Sequence, residues 1–365
     1  MRRLLIFAAL AALLTMPCLA ADLFGEQAEA YGVGEIEAAL PETARGIIGD
    51  AKVSDALNPE GFLSKIWGEA REKLAETASR GVKSAVAIVA VALLCGLAGG
   101  LAADGETPKY VVLGGVLGIA VIAAGDAGAF IAKGAQTLGE LSDFSHALLP
   151  CMTAAAAAGG ALTSAAAKYA ATALFMDVFL TVANGFVLPL VYAYMAASVA
   201  AAALDSPALD SAAALIKWLC VSIMTLLTTA FTIYLAATGA VTGASDALVT
   251  KAAKTAISAA LPVVGGIVSD AASTVVAGAG LVRNAVGVFG MAAVLCVCLM
   301  PFMALGAQYL LYKAAAALAG AFADKRIATL TGSLGGAFGM VLGLVGTGAV
   351  MLFFSILSLI KAVSG

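Results

Sequence analysis

Asp177 is the side chain most out of place in this sequence. It sits in Leu174-Phe175-Met176-Asp177-Val178-Phe179-Leu180, deep in a long apolar run. An ionised Asp at the centre of a hydrocarbon layer costs on the order of 3 kcal/mol on insertion scales, so it should face a partner or a water-filled cavity. Asn184 follows at i+7, on the same helical face. The two could line a polar path; the competing reading of Asp177 is a protonated or hydrogen-bonded packing residue. His146 is the only histidine and stands just before Pro150; a proton relay and an interfacial position both fit it. The six cysteines have no metal-ligand spacing. Cys18 lies near the N-terminus, and Cys95, Cys151, Cys220, Cys296 and Cys298 lie in apolar runs. Cys296 and Cys298 would project about 200° apart on a helix and could not share one metal. No GxxxxGK[ST], HExxH or GxSxG motif occurs. No metal, cofactor or enzymatic activity is expected.

The elements that must position these residues are membrane helices. Of 365 residues, 62% are hydrophobic and only 12% charged, with a mean hydropathy of +1.01. Soluble domains run about 45–50% apolar and about 25% charged, so a soluble globule of this composition would lack a polar surface. The net charge of −3 offers no basic footprint for nucleic acid. The expected fold is all-α, a polytopic transmembrane bundle of seven or eight spans over residues 82–365. Spans are predicted at Val82–Ala103, Tyr110–Gly125, Ala147–Ala167, Ala170–Leu204, Leu215–Thr242, Val286–Tyr312 and Leu330–Ile360. Val263–Val282, interrupted by Asp270, is either an eighth span or a re-entrant piece.

Proline should break these helices, because it lacks an N–H and clashes with the preceding turn. Breaks are expected at Pro150, Pro189, Pro262 and Pro301. Pro150 and Pro262 are 112 residues apart, as are Pro189 and Pro301. That offset suggests an internal repeat of units 130–241 and 242–353, each with three apolar segments and therefore inverted in the membrane. In the last span, Gly335, Gly339 and Gly343 form two overlapping GxxxG motifs, which let helix backbones approach closely.

Residues 1–20 read as a secretory signal peptide: Arg2 and Arg3, an apolar run from Leu4 to Leu14, then Cys18-Leu19-Ala20 before the cleavage point. Residues 21–81 then form an acidic, extracytoplasmic helical segment carrying 12 of the 23 acids. Asn58-Pro59-Glu60 looks like a helix N-cap with proline at the first position, and Phe62, Ile66, Trp67, Ala70 and Leu74 share one helical face. With this segment outside and eight spans, Lys313, Lys325 and Arg326 fall on the cytoplasmic side and Lys217 outside, a mild positive-inside bias.

One stretch carries a family resemblance. It runs from Lys251-Ala252-Ala253-Lys254 through Leu261-Pro262-Val263-Val264-Gly265 and Ser269-Asp270-Ala271-Ala272-Ser273-Thr274-Val275. It ends in Leu281-Val282-Arg283-Asn284-Ala285-Val286-Gly287. With the leader, the acidic segment and the spans, this resembles stage III sporulation protein AE of endospore-forming bacteria. The resemblance implies a mother-cell membrane protein in a multi-protein channel or feeding apparatus that links mother cell and forespore. The expected function is therefore a channel or permease-like subunit. Its partners would be other membrane subunits of that complex, membrane lipid and further copies of itself. A secondary transporter working alone, with Asp177 as its coupling group, and a purely structural anchor are the rival readings.

Overall fold

The computed structural model describes residues 28–49, 51–101, 107–159, 162–260 and 265–361. The leader 1–20 and Pro262 lie outside the described residues. Among the described residues the chain is helical, with turns and short connections and no strand. Two short helices, α1 (Val33–Ala38) and α2 (Glu42–Ile48), and a 3-10 turn (Val53–Leu57) come first. Long helices follow: α3 (Pro59–Leu101), α4 (Thr107–Ala158), α5 (Leu162–Val182) and α6 (Leu188–Leu204). The chain finishes with α7 (Pro207–Ala260), α8 (Gly265–Phe322) and α9 (Lys325–Lys361). A π-helical turn, Ala183–Val187, joins α5 to α6 without a loop.

Ala and Leu dominate these helices because they lose little on helix formation. The N-cap expected of Asn58 is present: its Oδ1 accepts from the Gly61 N–H at 3.4 Å, with Pro59 opening α3. The tight connection between α6 and α7 turns on Asp205, which adopts a left-handed conformation (φ 52°). Asp tolerates that region better than most residues.

Six stretches are long and apolar enough to cross a membrane: Val82–Leu101, Lys109–Ala158, Ala165–Leu204, Pro207–Ala236, Gly278–Phe322 and Lys325–Ile360. They run alternately between two ends. At one, the loop end, Gly96 of α3 lies against the Phe322 carbonyl and Gly115 of α4 against Cys95 and Ile327. At the other, Phe62 stacks on Phe289 of α8 (5.9 Å), and Gly287 lies against Ile360 and Met152. The short N-terminal helices dock here too. Thr43 donates to Glu140 of α4, and Ile36, Ile47 and Val53 are buried.

The bundle is longer than a membrane is thick. Helix α4 has 52 residues and α8 has 58, roughly 80 Å each at 1.5 Å per residue, against a hydrocarbon layer of about 30 Å. Helix α3 shows where the layer falls. Its first half is rich in Lys, Arg and Glu, and only Val82–Leu101, ending at the loop end, can cross.

Several sequence expectations change accordingly. The runs Tyr110–Gly125 and the start of Ala147–Ala167 lie on one helix, α4, which is continuous through Pro150. Likewise α8 joins the described part of Val263–Val282 to Val286–Tyr312 and is continuous through Pro301. A helix packed among neighbours tolerates the single hydrogen bond that proline removes. Pro189 stands in the first turn of α6, directly after the π turn. Helices matched by the 112-residue offset, α5–α6 with α8 and α7 with α9, run in the same sense. Lys217 lies beside α9, as Lys313 does, so those two bases share a side. Helix α3 also crosses the expected boundary at residues 81–82 without a break.

Two measurements check this arrangement. In a chain freed of native cysteines, Ser54→Cys and Lys361→Cys should react with an impermeant thiol reagent from one side, and Ser206→Cys from the other. Labelling of 54 and 361 from opposite sides would refute an even number of crossings. Gly96→Ala would drive a methyl group into the Phe322 carbonyl oxygen. That variant should lose about 1–3 kcal/mol of stability, read as a lower thermal midpoint in detergent.

Candidate functional site

The most connected polar group inside the apolar bundle is Asp126. It lies on α4 between Gly125 and Ala127-Gly128, small neighbours that leave room around the carboxylate. Ser84 of α3 donates its hydroxyl to Oδ1 at 3.0 Å. Gln308 Nε2 and Tyr312 Oη, one turn apart on α8, donate to Oδ2 at 2.5 and 2.7 Å. Gln308 and Tyr312 are fully buried. The Tyr312 ring packs edge-on against Phe338 of α9 at 5.1 Å, and Phe338 packs against Phe130 of α4 at 6.0 Å. One carboxylate therefore ties three helices together behind an aromatic wall. Gln308 Oε1 is buried with no hydrogen-bond partner among the described residues, leaving one acceptor free beside the carboxylate. The arrangement can hold a charge or a proton among the apolar helices.

The residues singled out from sequence lie elsewhere. Asp177 is on the outside of the bundle, where Oδ1 stands 3.8 Å from Nε2 of His146; the two side chains are 62% and 55% exposed. The sole histidine and the isolated acid thus meet across α4 and α5. Asn184 is exposed in the π turn, two helical turns from Asp177. Gly335 and Gly339 receive Tyr312 and Tyr309 of α8, and Gly343 receives Met224 of α7. The cysteines in the apolar runs are free thiols, and no group of metal ligands occurs among the described residues.

Sequence reasoning missed the Asp126 centre. Its signals were present: an acid at the end of the run Tyr110–Gly125, and a lone amide, Gln308, inside Val286–Tyr312. Nothing in the linear text linked them, because the partners are 182 and 186 residues apart. A second polar stitch was equally hidden. Buried Lys168 donates to the Ser358 carbonyl at 2.9 Å, and Thr172 to Ser355 at 3.0 Å, joining α5 to α9.

Fold and site together define an integral membrane protein, a polytopic helical bundle whose helices α3, α4 and α8 meet at a half-buried carboxylate. The family model for stage III sporulation protein AE matches residues 60–363, and the chain belongs to that family. It is similar to stage III sporulation protein AE of Bacillus subtilis (strain 168), with 24% identity over 183 residues. That match covers 50% of this chain and 46% of the relative, so it spans about half the length of each. No solved structure matches.

Tyr312→Phe should cost about 1.5–3 kcal/mol, the range for a hydrogen bond to a charged group. Combined with Asp126→Leu, the loss should fall well short of the sum of the single effects, since both act on one contact. Thermal unfolding in detergent measures all three variants.

Proposed function

We propose that this protein is the channel or permease-like membrane subunit of a multi-protein sporulation complex that links mother cell and forespore. The observation that carries the reading is the Asp126 centre. Placing a half-buried carboxylate with three dedicated donors among apolar helices is costly, and apolar packing would hold a purely structural anchor equally well. Membership of a sporulation family supports the setting. The protein sits in the mother-cell membrane, with the N-terminal segment facing the space between the two membranes. There α1 and α2, docked on the bundle, meet partner subunits. The exposed Asp177–His146 pair and Asn184 complete their polar path against a neighbouring subunit or a second copy rather than within one chain.

Asp126→Asn keeps the shape of the side chain and removes its charge; Asp177→Ala removes the outer acid. In the sporulating host, each variant should reach the membrane at normal levels and give far fewer heat-resistant spores. Wild-type spore counts from both would sink the polar-path reading. Purification from sporulating cells should recover other membrane subunits. Recovery of the chain by itself would favour a transporter that works alone.

A further inference from the structure

The loop end holds a feature that the Asp126 centre does not use. Two cavities, each of about 600 Å³, meet at one residue, Lys217. The outer one lies between the α6–α7 hairpin and the start of α9 and is lined by Tyr194, Ser198, Asp210 and Ser333. Its guanidinium is already matched: Arg326 stands 3.7 Å from Asp205 and 3.2 Å from Asp324. The inner one is a groove between α7 and α9, lined by Thr225, Thr228, Met224, Lys313 and the glycines of α9. No Asp or Glu is among its lining residues.

Two lysines line this groove. Lys217 Nζ is 3.9 Å from the Cβ position of Gly336, and Lys313 Nζ is 4.0 Å from that of Gly332. Residues four apart on a helix have Cβ positions roughly 5–6 Å apart, so the ammonium groups flank consecutive turns of α9. Lys313 donates to the Gly332 carbonyl at 3.0 Å; the Lys217 ammonium has no hydrogen bond or ion pair among the described residues. Lys217 is ten residues into α7 and Lys313 nine from the end of α8. Both are therefore about 15 Å from the loop end. Within the groove no acid offsets the two ammonium groups, and like charges repel. An anion between them would remove that repulsion. Gly336 keeps the passage open, since a Cβ there would lie 3.3 Å from the Tyr194 hydroxyl.

We propose that Lys217 and Lys313 form a binding site for a phosphate-bearing anion, entered from the outer cavity. The phosphate lies between the ammonium groups, with threonine hydroxyls of α7 below it. The site does not depend on the Asp126 reading. The phosphate belongs either to a lipid headgroup whose chains follow the groove or to a soluble solute.

The test uses the full-length purified protein in detergent, titrated separately with phosphatidylglycerol and with inorganic phosphate while its thermal midpoint is followed. Stabilisation by phosphatidylglycerol alone identifies a lipid headgroup, and stabilisation by phosphate identifies a soluble anion; either supports the site. Lys217→Gln with Lys313→Gln should weaken the response about tenfold or more, the equivalent of losing one charge-assisted hydrogen bond. Lys217→Arg with Lys313→Arg should retain it, and Lys133→Gln, which changes a base of α4 that lines neither cavity, should leave it unchanged. An undiminished response in the double Gln variant would overturn the proposal, as would no response to either probe in the wild type.

Discussion

Helices of 52, 54 and 58 residues cannot be contained in a hydrocarbon layer about 30 Å thick, and most other features of this bundle follow from that mismatch. Charge on the first half of α3 limits its crossing stretch to Val82–Leu101. At the end away from the loops Phe62 and α2 pack against α8, while Leu281 and Leu295 of the same helix stay exposed. The stack of Phe62 on Phe289 is a soluble-type core contact built from membrane-type sequence.

Within the layer the bundle is fastened by polar contacts and by close backbone approach, because lipid gives helices little hydrophobic reason to associate. Asp126 binds α3, α4 and α8 through three donors. Gly96, Gly335 and Gly339 bring backbones together where side chains would hold them apart. Arg326 joins the two loop-end turns through Asp205 and Asp324. These contacts fix the relative height of the helices, which the apolar surfaces alone would leave free to slide.

The helical membrane class was legible because apolar runs and scarce charge are properties of each segment by itself. So was the Asn58 cap, which involves neighbours in sequence. The prolines were misleading for the opposite reason. The effect of Pro150 or Pro301 depends on what surrounds the freed carbonyl, and packed neighbours let both helices continue. The same dependence hid the site. Asp177 drew notice because its immediate context is apolar, yet it ends up outside the bundle beside His146. Asp126 borders a polar stretch, drew none, and became the hydrogen-bonded centre. Periodicity tells which residues share a face, and says nothing of which helix that face will meet.

The wide sequence gap between Asp126 and its α8 donors bears on how the protein is made. Gln308 and Tyr312 leave the ribosome 182 and 186 residues after Asp126. At synthesis rates of about 5–20 residues per second, that delay is roughly 10–40 s. Throughout it, α3 and α4 already lie side by side, and the carboxylate has Ser84 as its one donor. The half-made protein therefore waits in the bilayer with an exposed polar scar that only the arrival of α8 closes. Surveillance that recognises polar groups in lipid would sort complete chains from stalled ones at this position.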